Sequence, residues 1–238
     1  MVGAENSFHV IVTRPEPAAS RTVARLKAEG FYASAVPLTE IRTLPVKAVS
    51  GTFDAVIVTS ANAVSSADSK MLEALRALPA FAVGQATGEA LRQAGFASFV
   101  VYGPDATALA QKVSSVIPAG ARVAYLCGCE RRNIVEVELA PYELLVLETY
   151  HAPARMGAAE ELRSAVIEHN VTRILSYSQR ASAILADVFG RSPTSEISFA
   201  CISERAAQPL RNRGLFVRVA QTADEEGLFE LLRVEKRS

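Results

Sequence analysis

VGQATGEALRQAGF, the stretch Val83–Phe96, reads as the end of a buried strand running into a helix that stops at Gly95. It has a counterpart 119 residues downstream, ISERAAQPLRNRGL (Ile202–Leu215), with Leu91/Leu210, Arg92/Arg211 and Gly95/Gly214 in common. The same offset pairs Asp105 with Asp224 and Leu109 with Leu228. Upstream, AVIVTSANA (Ala55–Ala63) aligns with RILSYSQRA (Arg173–Ala181) at an offset of 118, matching Ser60 to Ser178 and Ala63 to Ala181. A weaker match sets VIVTRPEPA beside VAYLCGCER and FYASAVPLT beside YELLVLETY. The chain therefore has the order A–B–A′–B′, a two-strand unit, a three-strand unit, and both again.

Ten short runs carry the strand signal: His9–Thr13, Tyr32–Pro37, Ala55–Thr59, Ala80–Val83, Ser98–Tyr102, Arg122–Leu126, Glu143–Leu147, Arg173–Tyr177, Ser198–Ile202 and Phe216–Val219. Near-continuous apolar strands that alternate with helical patterns indicate parallel sheets covered on both faces. Ala18–Glu29, with Val23, Leu26 and Lys27 at helical spacing, ends at Gly30. The fold class is α/β, two doubly wound lobes of about five strands each facing one another across a cleft. Spacing leaves two assemblies open. Each half forms its own lobe, or A joins B′ and encloses a lobe built of B and A′.

Of the 238 residues, 50% are hydrophobic and 21% charged, ample material for packed cores and unlike a disordered chain. Lysine plus arginine (25) balance aspartate plus glutamate (25), which argues against a generally basic surface for nucleic acid. The three cysteines, Cys127, Cys129 and Cys201, are too few for a disulfide framework and fit a reducing compartment. Cys127 and Cys129 lack a second pair or a nearby histidine to complete four zinc ligands. Met1–Ser7, with Glu5 and Asn6, has no apolar core, so no signal peptide is expected. The apolar runs, Phe96–Tyr102 among them, fall far short of the ~20 residues that span a bilayer. The expectation is a soluble, cytoplasmic protein with no membrane partner.

In open parallel sheets ligands bind beyond the carboxyl ends of strands, where helix N-termini present free N–H groups. The loops at those ends are Thr13–Glu16, Thr59–Asn62, Gly84–Thr87, Tyr102–Asp105, Cys127–Glu130, Tyr177–Arg180 and Ser203–Arg205. They are rich in hydroxyls and amides, which cap helices and also receive carboxylates; capping is the commoner reason for Ser, Thr or Asn there. No GxxxxGK[ST] phosphate loop occurs, no GxGxxG follows the first strand, and no GxSxG elbow accompanies a Ser–Asp–His order. His9, His151 and His169 are scattered, and His169 has a solvated helix end as its default place. No cofactor and no metal are expected.

The opening strand ending in Thr13-Arg14-Pro15, the block Phe53–Val64, Phe81–Thr87, the strand Glu148-Thr149-Tyr150 and Ser176-Tyr177-Ser178 together resemble the uroporphyrinogen-III synthase family over nearly the whole chain. The resemblance implies the enclosed assembly. Residues 1–38 with 152–238 form one lobe and 43–148 the other, with extended crossings at 38–42 and 149–152. It implies a lyase that closes the linear tetrapyrrole hydroxymethylbilane with loss of water and inversion of ring D, giving uroporphyrinogen III for haem and sirohaem. The substrate also cyclises unaided to the I isomer, so the main task is to hold a reactive chain in one geometry, worth about 7–11 kcal/mol for well-oriented groups. A missing acid–base toolkit is consistent with that task.

By the same resemblance, Tyr150 is the catalytic candidate, a phenol that donates to the departing hydroxyl. Thr87, Ser60 and Ser178 match family hydroxyls that receive acetate and propionate groups. The full set of substrate-binding candidates is Arg14, Thr59, Ser60, Asn62, Gly84, Thr87, Ser178, Gln179, Arg180, Ser203 and Arg205. Where this chain has Arg205-Ala206 the family commonly has threonine, so Arg205 offers a charged contact instead. The partner is the octacarboxylate hydroxymethylbilane, with transient contact to hydroxymethylbilane synthase, and the resemblance implies a monomer. The competing readings are a two-lobed small-molecule sensor or regulatory module without chemistry, a degenerate synthase kept as a scaffold, and, third, a nucleotide-dependent enzyme.

Overall fold

Val10–Val12, Ala55–Val58 and Val123–Cys127 are at most 2% exposed at every residue, as strands covered on both faces must be. The computed structural model describes residues 8–46, 49–102, 106–169, 171–190 and 197–237. The loop residues 103–105, which include the Asp105 of the repeat, and the N-terminal segment 1–7 lie outside the described residues.

The elements run β1 (His9–Val12), α1 (Ala18–Ala28), β2 (Tyr32–Ala35), β3 (Arg42–Thr43), β4 (Ala55–Val58), α2 (Ala61–Ser65), α3 (Ser69–Leu75) and β5 (Ala80–Val83). There follow α4 (Gln85–Gln93), β6 (Phe99–Tyr102), α5 (Ala106–Val116), β7 (Arg122–Gly128), α6 (Ile134–Glu138) and β8 (Glu143–His151). The chain closes with α7 (Ala158–Glu168), β9 (Val171–Ser176), α8 (Gln179–Phe189), β10 (Ser198–Cys201), α9 (Glu204–Arg211), β11 (Val217–Val219) and α10 (Glu225–Arg237). All ten strand runs read from the sequence are strands here, most within two residues of the expected ends. Gly30 and Gly95, at φ +79° and +81°, stop α1 and α4 as expected of glycine past a helix end.

The chain divides into two units, one made of residues up to Glu40 with those from Pro153 onward, the other Ile41–Ala152. In the first the strand order is β11-β10-β9-β1-β2, in the second β3-β8-β7-β4-β5-β6. Pairing is parallel throughout except β3 against β8. The repeat accounts for these orders. Put β9–β11 in the place of β4–β6, and β1–β2 in that of β7–β8, and the five-strand order is the same in both. Each sheet therefore combines strands from distant parts of the chain, A with B′ and B with A′.

The sixth strand, β3, was not expected. Arg42 and Thr43 are both exposed and too few for a period-2 pattern, so the residues that pair with His151 and Tyr150 carry no hydrophobic signal. β8 likewise continues past Leu147 to His151, so residues 149–151, expected as part of an extended crossing, are ladder residues of the second unit. In the first unit Thr39 makes an isolated antiparallel bridge to Ala154.

Each sheet is sandwiched between two apolar layers. In the first unit Ile11, Ile174 and Phe199 face α7, α8 and α9 through Leu162, Leu185 and Leu210. Val10, Val12 and Leu175 face α1 and α10 through Leu26, Leu228, Phe229 and Leu232. In the second, Val56, Val58, Ala124 and Leu126 meet α2, α3 and α4, while Ile57, Val123 and Tyr125 meet α5 and α6. Alternation along each strand feeds the two layers in turn.

Two polar clusters stand at the margins of the first unit's cores. Glu235, 7% exposed on α10, pairs with Arg173 of β9 and with Arg218 of β11 at 3.2 Å, tying the helix across its sheet. His9 and His169, far apart in sequence, stack with ring centroids 4.6 Å apart, and His9 shares a 3.0 Å hydrogen bond with Ser34. His169 is the exposed C-cap of α7, the solvated helix end expected of it, and the stacking on His9 is an added contact that the sequence did not indicate. Burial, His169 and Lys27, in that order, hold His9 below the ordinary histidine range.

Two measurements check these clusters. Removing Glu235 as Glu235→Ala leaves two arginines that keep partial access to water, and is expected to lower unfolding free energy by roughly 2–4 kcal/mol. A depressed histidine takes up its proton more readily when unfolded. Stability is therefore full above the unfolded value of ~6.5 and is lost as pH falls below it. Urea midpoints at pH 7.5 and pH 5 are expected to differ less in His9→Asn than in the unaltered chain.

Candidate active site

β4 runs out at Val58 into Thr59 and Ser60, and the carboxyl end of this strand gathers the expected hydroxyls. Ser60 is extended (φ −154°, ψ 133°), and its Oγ accepts from the Asn62 backbone N–H at 3.2 Å, capping α2. The same Oγ lies 2.9 Å from the Tyr150 hydroxyl, so Tyr150, on β8, reaches over β7 to the end of β4. Thr59 Oγ1 lies 3.1 Å from the hydroxyl of Tyr125, which is 2% exposed on β7.

Burial pushes the Tyr150 phenol above its ordinary range, against the pull of its contacts with Ser60 and Asn62. Burial also raises Tyr125, to about 12, opposed by Thr59. Both phenols therefore keep their protons throughout the physiological range, and Tyr150, half-buried, is a donor rather than a base. A cation is built in nearby. Arg131, its side chain 19% exposed, donates to Glu148 at 2.6 Å, to Glu136 at 2.7 Å and to the Gly128 carbonyl at 3.1 Å, and lies 5.7 Å from the Tyr125 ring. Its charge is thereby spent on bracing the turn after β7.

On the neighbouring strand β5, Gly84 caps α4 at φ +76°. That conformation favours glycine, although a Cβ there would meet nothing within 4 Å. Gly84, Gln85 and Ala86 are exposed and no side chain caps the helix, so its first N–H groups have no side-chain acceptor. Thr87 is only 4% exposed and faces the packing of α4.

In the other unit the serines repeat the arrangement. Ser178 Oγ accepts from Ala181 N–H at 3.1 Å and Ser203 Oγ from Ala206 N–H at 3.3 Å, capping α8 and α9 at the ends of adjacent strands. Gln179 Oε1 accepts from Arg205 Nε at 3.2 Å, and Arg180 is exposed. Arg14 is engaged within the fold. It donates to Glu225 at 3.0 Å and sits 4.6 Å from the Tyr177 ring centroid. Tyr177 is raised by burial and by Glu225.

Thr59, Ser60, Asn62 and Tyr150 are thus brought together in one unit, and Ser178, Gln179, Ser203 and Arg205 in the other. The residues that sequence reading passed over are Tyr125, Gly128, Arg131 and Thr149. Each is defined by neighbours on other elements of the fold, Thr59 for Tyr125, Tyr150 for Gly128, Glu136 and Glu148 for Arg131, and Ala63 for Thr149. Burial raises the Cys127 thiol to about 12 and Cys201 to about 11, which leaves neither as a ready nucleophile. Among the described residues no three His, Cys, Asp or Glu side chains cluster as metal ligands, and no helix is long and apolar enough to cross a membrane.

Residues 20–230 match a family model described as uroporphyrinogen-III synthase HemD. The chain belongs to the uroporphyrinogen-III synthase family. It is therefore a cyclising lyase of tetrapyrrole synthesis. The fold agrees with that assignment. The uroporphyrinogen-III synthetase of Helicobacter pylori superposes with a TM-score of 0.65 at 16% identity, covering 96% of this chain and 99% of that one. A mutant uroporphyrinogen III synthase of Thermus thermophilus gives 0.57 at 16% identity, covering 98% and 100%. Sequence comparison with curated proteins finds no significant match.

For the synthase-family chain the Ser60–Tyr150 contact has a measurable sign. Ser60 lowers the phenol against the effect of burial, so Ser60→Ala is expected to raise the alkaline transition of Tyr150 further. Ultraviolet difference titration against Tyr150→Phe resolves it. The lost cap is also expected to cost about 1 kcal/mol of stability.

Proposed function

We propose that this chain closes hydroxymethylbilane to uroporphyrinogen III with the Tyr150 phenol as hydrogen-bond donor to the hydroxyl that leaves. The observation that carries the assignment to this residue is the 2.9 Å contact of Tyr150 with the cap serine Ser60, which holds a protonated phenol at the carboxyl end of a sheet. The pyrrole nitrogen of the ring that bears the hydroxymethyl group pushes its electrons toward the methylene carbon, and the C–O bond breaks. The N–H proton given up by that ring makes the expelled hydroxide water, leaving a neutral azafulvene. The substituted α-carbon of ring D, at the other end of the chain, attacks the azafulvene's methylene carbon to give a spiro intermediate. The bond from that α-carbon to its original methylene then breaks, and reclosure at ring D's free α-carbon with loss of its proton gives the III isomer. Donation from a neutral phenol lowers the cost of expelling hydroxide and requires no cofactor.

The helix starts at Ser60, Gly84, Ser178 and Ser203 supply N–H groups suited to carboxylates, and Thr59, Asn62, Gln179, Arg180 and Arg205 lie beside them. Thr87, buried at the start of α4, and Arg14, paired with Glu225, complete the set of substrate-binding residues. The protein works as a cytoplasmic monomer that receives its substrate in transient contact with hydroxymethylbilane synthase. A module that binds without chemistry is not favoured for a member of a lyase family that carries Tyr150.

The test is to generate hydroxymethylbilane in the presence of the protein and to separate the I and III isomers after oxidation. The III isomer is expected to dominate; I isomer alone from a folded sample would overturn the proposal. Tyr150→Phe is expected to slow formation of the III isomer roughly 10- to 100-fold, the value of a hydrogen bond to a developing charge, with the fold unchanged. A Phe variant at full rate removes Tyr150 from the mechanism.

A further inference from the structure

Along β8 the side chains alternate between the two apolar layers of their sheet until Glu148. Leu145 and Leu147 pack in the layer with Val56 and Val58, and Leu144 and Val146 in the layer with Ile57 and Tyr125. Strict alternation would send Thr149 to the first layer and Tyr150 to the second, away from Ser60. Thr149 follows that pattern and Tyr150 does not. The register against β7 slips, with Cys127 opposite Glu148 but Gly128 opposite Tyr150, so Thr149 is an extra residue in a β-bulge.

Both residues consequently lie on the same face. Thr149, fully buried, donates from Oγ1 to the Ala63 carbonyl of α2 at 2.8 Å, and Tyr150 packs in the layer with Val58 and Ala63. The turned ring then needs space above β7, and Gly128 provides it. A Cβ at Gly128 would stand 2.7 Å from Tyr150 Cζ, and 3.0 Å from both Cε1 and the hydroxyl oxygen. A side chain there would displace the phenol. The Gly128 φ is not in the left-handed region, so an alanine is acceptable to the backbone and only the ring is affected.

We propose that Gly128, with the bulge at Thr149, is the positioning device for Tyr150. The bulge turns the phenol to the face where Ser60 lies, and the bare backbone of Gly128 lets the ring lie flat against β7 within reach of it. Gly128 is a positioning residue that acts through Tyr150 and touches no reacting atom. The inference rests on the reading of Tyr150 as the donor to the leaving hydroxyl.

A three-variant cycle on the full chain tests it: Gly128→Ala, Tyr150→Phe and the double variant, each checked for fold by circular dichroism. The III-isomer kcat and KM are measured for each, and the Tyr150 ring is followed by 13C-tyrosine NMR with Y150F as the assignment control. G128A is expected to shift the Tyr150 resonance and to lower kcat by a factor comparable with that of Y150F, with KM little changed. In the Y150F background it is expected to lower kcat further by less than about twofold, since residues acting as one unit are not additive. A full-rate Y150F overturns the role of Tyr150. A slow Y150F beside a full-rate G128A overturns the positioning role alone, as does a G128A loss that multiplies with that of Y150F. Should G128A not fold, Thr149→Val, nearly isosteric and lacking the donor to Ala63, carries the same cycle with the same outcomes.

Discussion

A strand hydrogen-bonded on both sides in a parallel sheet has no face to give to water. Val10–Val12, Ala55–Val58 and Val123–Cys127 are closed above and below by helices, so no reactive group can be presented from the middle of either sheet. Polar chemistry is forced to the strand ends, and there the turn into the next helix decides what is presented. At Ser60, Ser178 and Ser203 it presents a serine that already holds the helix's first N–H groups in place. The polar ends are thus a by-product of how the cores are closed, and Tyr150 gains its partner because β4 has to stop where α2 begins.

The balance of forces at that end favours a neutral donor. Burial raises Tyr150 and Tyr125 while hydroxyl contacts pull the other way, and burial wins at both. The neighbouring cation Arg131, which lies over the Tyr125 ring, has its charge matched by Glu136 and Glu148. A tetrapyrrole that reacts spontaneously once its hydroxyl is loosened asks for geometry and a mild donor. A strong base among its pyrroles would open side reactions.

How much of this could be read from the letters varies with the range of the interaction. The strands and their joining helices are local patterns, and β5 was placed to the residue. The repeated Leu-Arg-x-x-Gly at Leu91 and Leu210 carried the A–B–A′–B′ order, and the two matching strand orders follow it. What stayed hidden depended on neighbours distant in sequence. β3 is two exposed polar residues that are a strand only because β8 runs past them. His9 and His169 meet through the fold alone. The bulge at Thr149 is invisible in ELLVLETYH, which reads as one uninterrupted strand with a continuous apolar run, yet it decides which face Tyr150 occupies. Arg14 was legible as a cation but not as one already matched to Glu225.

The interleaved strand order also bears on how the chain is made. Ile41–Ala152 is continuous, so every strand of its sheet has been synthesised before the second half of the other unit begins to emerge from the ribosome. β1 and β2 have no such completion. They are translated before that unit and must wait, with Val10, Ile11 and Val12 only partly covered, until β9 arrives to flank β1 and α10 to close the layer that α1 begins. β1 is therefore translated early and sheltered late, and nascent chains stalled beyond Ala152 hold all strands of one sheet together with a two-strand fragment of the other, whose apolar surface chaperones are suited to guard.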